Sequence, residues 1–155
     1  MTREQLVAFI RRHRWGVVSS VAAEADIDSG RPQSAVVGVA VSDQLELVFD
    51  TLGSTRKARN LRRDPRIAVV IGWDQEQTVQ VEGIADEPTG ADLARVQSCY
   101  FAQFSDGPSR LSWPGITYFR VRPTWIRFSD FRAGSAGAGG EPLVVERSGS
   151  EWTRD

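Results

Sequence analysis

The chain is poor in the side chains that carry most metal and disulfide chemistry. Its 155 residues include one cysteine, Cys99, and one histidine, His13. An internal disulfide is therefore excluded, and Cys and His cannot supply a ligand cluster for zinc or heme iron within one chain. A lone thiol fits a reduced, cytoplasmic setting. Long apolar runs are missing too. Nowhere do eighteen apolar residues stand together, and the opening MTREQLVAFIRRHRWG has only a broken apolar run between charges, which predicts neither a membrane span nor an export signal. A net charge of −1 argues against a general nucleic-acid binder. Lysine is nearly absent: Lys57 stands alone among nineteen basic residues. What remains suffices for one domain, since a chain of this length buries roughly 68–70% of its unfolded surface without staples.

Periodicity gives the elements. Thr2 and Gln5 form a capping box ahead of a helix over 2–13 whose Leu6, Val7 and Ile10 share a face. An apolar, β-branched run from Trp15 to Val21 reads as a strand and EADIDSGRPQ as a turn region. AVVGVAV (35–41) and LELVFDT (45–51) are spaced for a hairpin. RIAVVIG (66–72) reads as a central strand with QTVQVEGIA (77–85) as its partner, Val79 and Val81 on one face and Thr78, Gln80 and Glu82 on the other. Thr89 is expected to cap a third helix carrying Leu93, Val96, Tyr100 and Phe104, aromatics better suited to a core than to a cofactor site. ITYFRVRP (116–123) and TWIRFSD (124–130) read as two strands with a bend at Pro123. The Gly-rich stretch 133–140 is expected to be mobile, followed by a last strand, LVVER.

The stretch FDTLGSTRKARNLRRDPRIAVVIGW (49–73) carries the chemistry. A strand leads through a Gly-Ser-Thr turn into a short cationic helix, which Pro65 stops, and then into an apolar strand. Ala58 and Leu61 face inward on that helix while Arg59, Arg62 and Arg63 stay wet. Backbone N–H groups at a helix N-terminus, Ser/Thr hydroxyls and an adjacent Arg–Lys pair are what a phosphomonoester dianion needs. From the residues alone a second reading stays open, a solvated basic helix face.

Read as strand, phosphate turn, basic helix and strand, this segment resembles the FMN-binding split-barrel family of pyridoxamine 5′-phosphate oxidases, stress-associated flavoproteins and deazaflavin-dependent reductases. SGRPQSAVVGVAV before it, QTVQVEGIA after it and the late FRVRPTWIRFSD extend the resemblance over roughly residues 5–130. The resemblance implies a mainly β fold with flanking helices, a six-stranded antiparallel split β-barrel. Residues 1–132 would be the flavin-binding domain, and 133–155 a linker and strand of the same domain. It also implies that Arg56 and Lys57 bind the flavin phosphate with Thr55 and Thr51. Ala35, Val36 and Val37 would lie along the ring, mostly through backbone. Asp50 stands where the oxidase has a Tyr, and Thr78 where it has a ring-contacting Gln.

Departures from the pattern bear on the substrate. The oxidase's terminal Arg-x-His gives way here to GSAGAGGEP; Tyr100 and Phe101 keep an aromatic pair of the substrate site, but Phe104 replaces the Arg that grips the substrate phosphate; and Ser129 replaces a flavin-contacting Trp. The expectation is an FMN-dependent oxidoreductase with Tyr100 at the substrate, no catalytic side chain, and no pyridoxamine phosphate oxidase activity. Two alternatives are a deazaflavin-dependent reductase and a non-catalytic flavin-binding stress protein; heme binding through His13 is a weaker reading. The resemblance further implies a homodimer with flavin at its interface, for which Trp113, Tyr118 and Trp125 are candidate contacts, and neither nucleic-acid nor membrane partners.

Overall fold

Thr2 opens the first helix as its sequence requires. Its side chain accepts from the Gln5 backbone while the Gln5 side chain accepts from the Thr2 backbone, starting α1 (Arg3–Arg12). The computed structural model describes residues 1–23, 30–132, 143–148 and 151. In order after α1 come β1 (Trp15–Val21), β2 (Pro32–Gly38), β3 (Ala40–Val41), β4 (Leu47–Leu52), α2 (Arg56–Arg63), β5 (Arg66–Ile71), β6 (Gln77–Asp86), α3 (Gly90–Gln103), a 3₁₀ turn (Gly107–Ser112), β7 (Ile116–Asp130) and β8 (Leu143–Ser148). One antiparallel sheet runs β2-β1-β5-β6-β7-β4-β3, with β8 also pairing with β7. It curls until β2 approaches β4, leaving a split beside the edge strand β2. The described strands number eight rather than six: six long ones make the half-barrel, and the two-residue β3 and the late β8 add to them.

Two strand expectations change with the pairing. The run 35–41 is broken at Val39, whose N–H donates to the Arg14 carbonyl. Its first part pairs with β1, and only Ala40 and Val41 turn back onto β4. The late pair is one continuous strand. Pro123 lies opposite Gly83 at a bulge between Glu82 and Gly83, where a missing N–H costs no ladder bond. A Cβ at Gly83 would come 2.6 Å from the Arg122 carbonyl oxygen, so this close approach needs glycine.

Leu6, Phe9 and Ile10 of α1 plug the curled sheet, Phe9 meeting Phe128 edge-on at 5.3 Å. Helix α3 covers part of the outer face, where Val96, Tyr100 and Phe104 pack on Ala40, Val48 and Tyr118. Thr89 occupies the N-cap position of α3 but makes no side-chain cap bond. Beside α3, Arg120 bonds Glu46 and Asp86, and Arg95 bonds Glu46 and Asp92. Burial alone would raise the Glu46 carboxyl, but Arg95 and Arg120 outweigh it and hold the group below its ordinary range.

Of the three candidate interface aromatics, Trp113 is exposed. Trp125 donates to Glu146 of β8 at 2.8 Å. Tyr118 is a core residue, 3% exposed, rather than a surface one. The stretch 133–140 lies outside the described residues. Among the described residues no helix is long and apolar enough to cross a membrane.

Candidate functional site

Three residues carry the chain from the end of β4 into α2. The Thr55 N–H closes the turn onto the Leu52 carbonyl at 3.0 Å, and Thr55, in extended backbone, caps α2 by accepting from the Ala58 N–H at 3.4 Å. Thr51 Oγ1 lies 3.1 Å from Thr55 Oγ1 and accepts from Lys57 Nζ at 3.3 Å. Two hydroxyls, an ammonium and the open N–H groups of a helix start thus converge.

The charges of α2 divide by their partners. Arg62 is bidentate to Glu87, while Arg59 and Arg63 donate to the carbonyls of Ser54 and Ala23. Arg56 and Lys57 meet no carboxylate among the described residues. Burial pushes the Lys57 ammonium below the usual lysine range, as expected of a partly desolvated cation with no counter-ion. Both face a cleft of about 310 Å³ lined by Ser20, Gln33, Ser34, Ala35, Thr55, Arg56, Lys57 and Asn60.

Asn60 is a residue the sequence reading missed. It is 3% exposed; its amide nitrogen donates to Ser20 Oγ at 2.9 Å and Gln33 Oε1 at 3.0 Å, and its oxygen accepts from the Ala23 N–H at 2.9 Å. These bonds tie α2 to β1, β2 and the segment after β1. Its position beside the inward Ala58 and Leu61 was the available signal, because a buried amide must find partners. Asn60→Ala is expected to cost about 1–3 kcal/mol by stranding Ser20 and the Ala23 N–H. Urea unfolding checks this; a loss below about 0.5 kcal/mol would show the amide is dispensable.

The expected site residues separate into groups. Ala35, Thr55, Arg56 and Lys57 line the cleft, with Thr51 bonded to Lys57 beside it. Val37 points into the core, and Val36, 62% exposed, lies on the opposite side of β2. Asp50 faces away from Thr51 across β4, accepting from Tyr100 Oη at 2.9 Å and Arg110 Nε at 2.7 Å. Thr78 is on the outer face of β6, opposite Ser129 and three strands from β2 along the sheet. The single imidazole is partly covered: His13 meets Phe9 in a tilted contact at 4.6 Å, and its Nδ1 lies 3.5 Å from Asp74.

Solved structures share this fold. A heme binding protein from Mycobacterium smegmatis superposes with a TM-score of 0.77 at 17% identity, over 99% of this chain and 60% of its own. The heme storage protein HutZ from Vibrio cholerae gives 0.65 at 16% identity, over 79% and 91%. A pyridoxamine 5′-phosphate oxidase-related, FMN binding protein from Nostoc punctiforme PCC 73102 gives 0.63 at 13% identity, over 94% of each chain. No curated protein matches the sequence. The sequence profile of pyridoxamine 5′-phosphate oxidase matches residues 2–130, which takes in the whole α2 cleft and every long strand, and the chain belongs to that family.

Proposed function

We propose that the chain binds FMN through Arg56 and Lys57 and acts as a flavin-dependent oxidoreductase. The observation that carries this reading is the pair of cations left, among the described residues, without carboxylates at the capped start of α2, where every other arginine of the helix has a protein partner. Two uncompensated charges match a phosphomonoester dianion. They fit a polyanionic tail less well, which favours FMN over a deazaflavin cofactor. From the cleft the flavin would run along the free edge of β2, whose outward N–H and C=O groups supply ring contacts. FMN supplies hydride and electron chemistry when bound; the protein orients it and controls access.

The test is the spectrum of the purified holoprotein. A band near 450 nm that is released as FMN is expected, whereas a band near 420 nm would identify deazaflavin. Turnover of reduced nicotinamide with an artificial acceptor then separates an oxidoreductase from a binding protein. Heme is the second reading, favoured by two of the fold relatives. The geometry of His13, held between Phe9 and Asp74, gives it no support.

A homodimer belongs to the same proposal. Thr78 is remote from Lys57 within one chain, and a symmetric second copy is what would bring it to the ring. Sedimentation of the flavin-loaded protein is expected to give a dimer; a flavin-loaded monomer would contradict the shared site.

A further inference from the structure

The free edge of β2 leads from the phosphate cleft to a second polar group of residues. Ala35 lines the cleft, and three residues on, about 10 Å along the strand, a Cβ on Gly38 would lie 3.3 Å from Tyr100 Oη and under 3 Å from the Phe104 ring. This distance suits a ribityl chain and the start of its ring. At that point Arg110 reaches in from the 3₁₀ turn, and each of its nitrogens is engaged. Nε donates to Asp50 at 2.7 Å, Nη1 to Asp106 at 2.7 Å, and Nη2 to Tyr100 Oη at 3.2 Å. The nearby Arg14 is also turned to Asp106, at 3.3 Å. Asp50 and Arg110 keep 12% and 16% of their side chains exposed, so the group still has an open edge. Directly opposite Asp50 in the strand register is Tyr118, whose buried hydroxyl has no hydrogen-bond partner among the described residues.

We infer that this group selects the substrate by withholding a cation: Asp50 and Asp106 occupy the Arg110 guanidinium, so the ring end of the groove takes a neutral, hydrogen-bonding substrate and rejects phosphate esters and carboxylates. An anion arriving there would have to displace a carboxylate already seated on the guanidinium and would stand beside it, a like-charge contact in a half-buried place. A neutral substrate meets no such cost. The open carboxylate edge of Asp50 offers it an acceptor. Arg110 is here a positioning residue for Asp50 and Tyr100. The inference rests on the flavin lying along β2.

The experiment titrates FMN-loaded protein with pyridoxine 5′-phosphate and with pyridoxine, followed by calorimetry and flavin fluorescence. Loading with FMN fills the Lys57 site first, so failure to retain FMN would overturn the flavin reading separately. Wild type is expected to bind the phosphate ester no more tightly than the free alcohol. Asp50→Asn keeps an acceptor for Tyr100 while freeing Arg110, and should raise the preference for the phosphate ester by at least about tenfold. Arg110→Gln should not. Should Asp50→Asn lose its circular dichroism spectrum, Asp106→Asn frees Nη1 at a more exposed carboxylate and carries the same expectation. A wild type that already prefers the phosphate ester, or a folded, FMN-loaded Asp50→Asn with no gain, overturns the inference.

Discussion

Replacing Arg56 and Lys57 together by alanine is expected to weaken FMN binding by roughly two to four orders of magnitude, since each charge-assisted contact to phosphate contributes about 1.5–3 kcal/mol. The fold should survive. Arg56 is exposed, and Lys57 contributes a single hydrogen bond, to Thr51, which keeps Thr55 at 3.1 Å as a partner. Ala58 and Leu61, which seat α2 on the sheet, are untouched. Riboflavin, which lacks the phosphate, should bind both proteins alike. Fluorescence titration with the two flavins, alongside circular dichroism, reads all three expectations. Unchanged FMN affinity in a folded double variant would return α2 to the role of a solvated basic helix.

The second large effect concerns stability. Arg120 is 8% exposed and holds Glu46 and Asp86 on the covered face of the sheet. Removing one member of a buried ion network leaves a charge without its partner, so Arg120→Ala should cost about 3–5 kcal/mol. For a domain of this size that lowers Tm by on the order of 10 °C. The pH dependence follows from Glu46, whose carboxyl burial would raise but Arg95 and Arg120 hold below its ordinary value. A depressed carboxylate adds stability above its unfolded pKa and loses it as pH falls through the folded value. Without Arg120 the folded value rises, so acid unfolding should begin at higher pH than in wild type. Thermal melts at neutral pH and an acid titration test this pair of expectations. A loss below about 1 kcal/mol would place the network in the class of surface ion pairs.

Much of the local structure was legible because it depends on neighbours a few residues apart. The Thr2–Gln5 box, the inward Ala58 and Leu61, the wet arginines of α2 and the alternation of Val79 and Val81 against Gln80 and Glu82 all appear where short-range periodicity places them. The Arg56–Lys57 pair was readable for the same reason, since Thr55, Arg56 and Lys57 lie within one helical turn. Pairing was less so. Nothing local marks Val39 as the residue where the chain leaves β1 for β4, because a backbone donor taken by Arg14 is a long-range event. Pro123 looked like a strand end until Gly83, some forty residues earlier, supplied the bulge opposite it.

The sequence by itself determined the Thr55-Arg56-Lys57 turn and the family, since both rest on contiguous residues. The tertiary structure decided which charges are available. Among the described residues no carboxylate folds against Arg56 or Lys57, as Glu87 does against Arg62. Likewise Asp50, one residue from Thr51, meets different partners because strand alternation turns it to the outer face, where Tyr100 and Arg110 reach it from far along the chain. A charge acquires its chemistry from its nearest counter-charge, and that distance is a property of the folded chain.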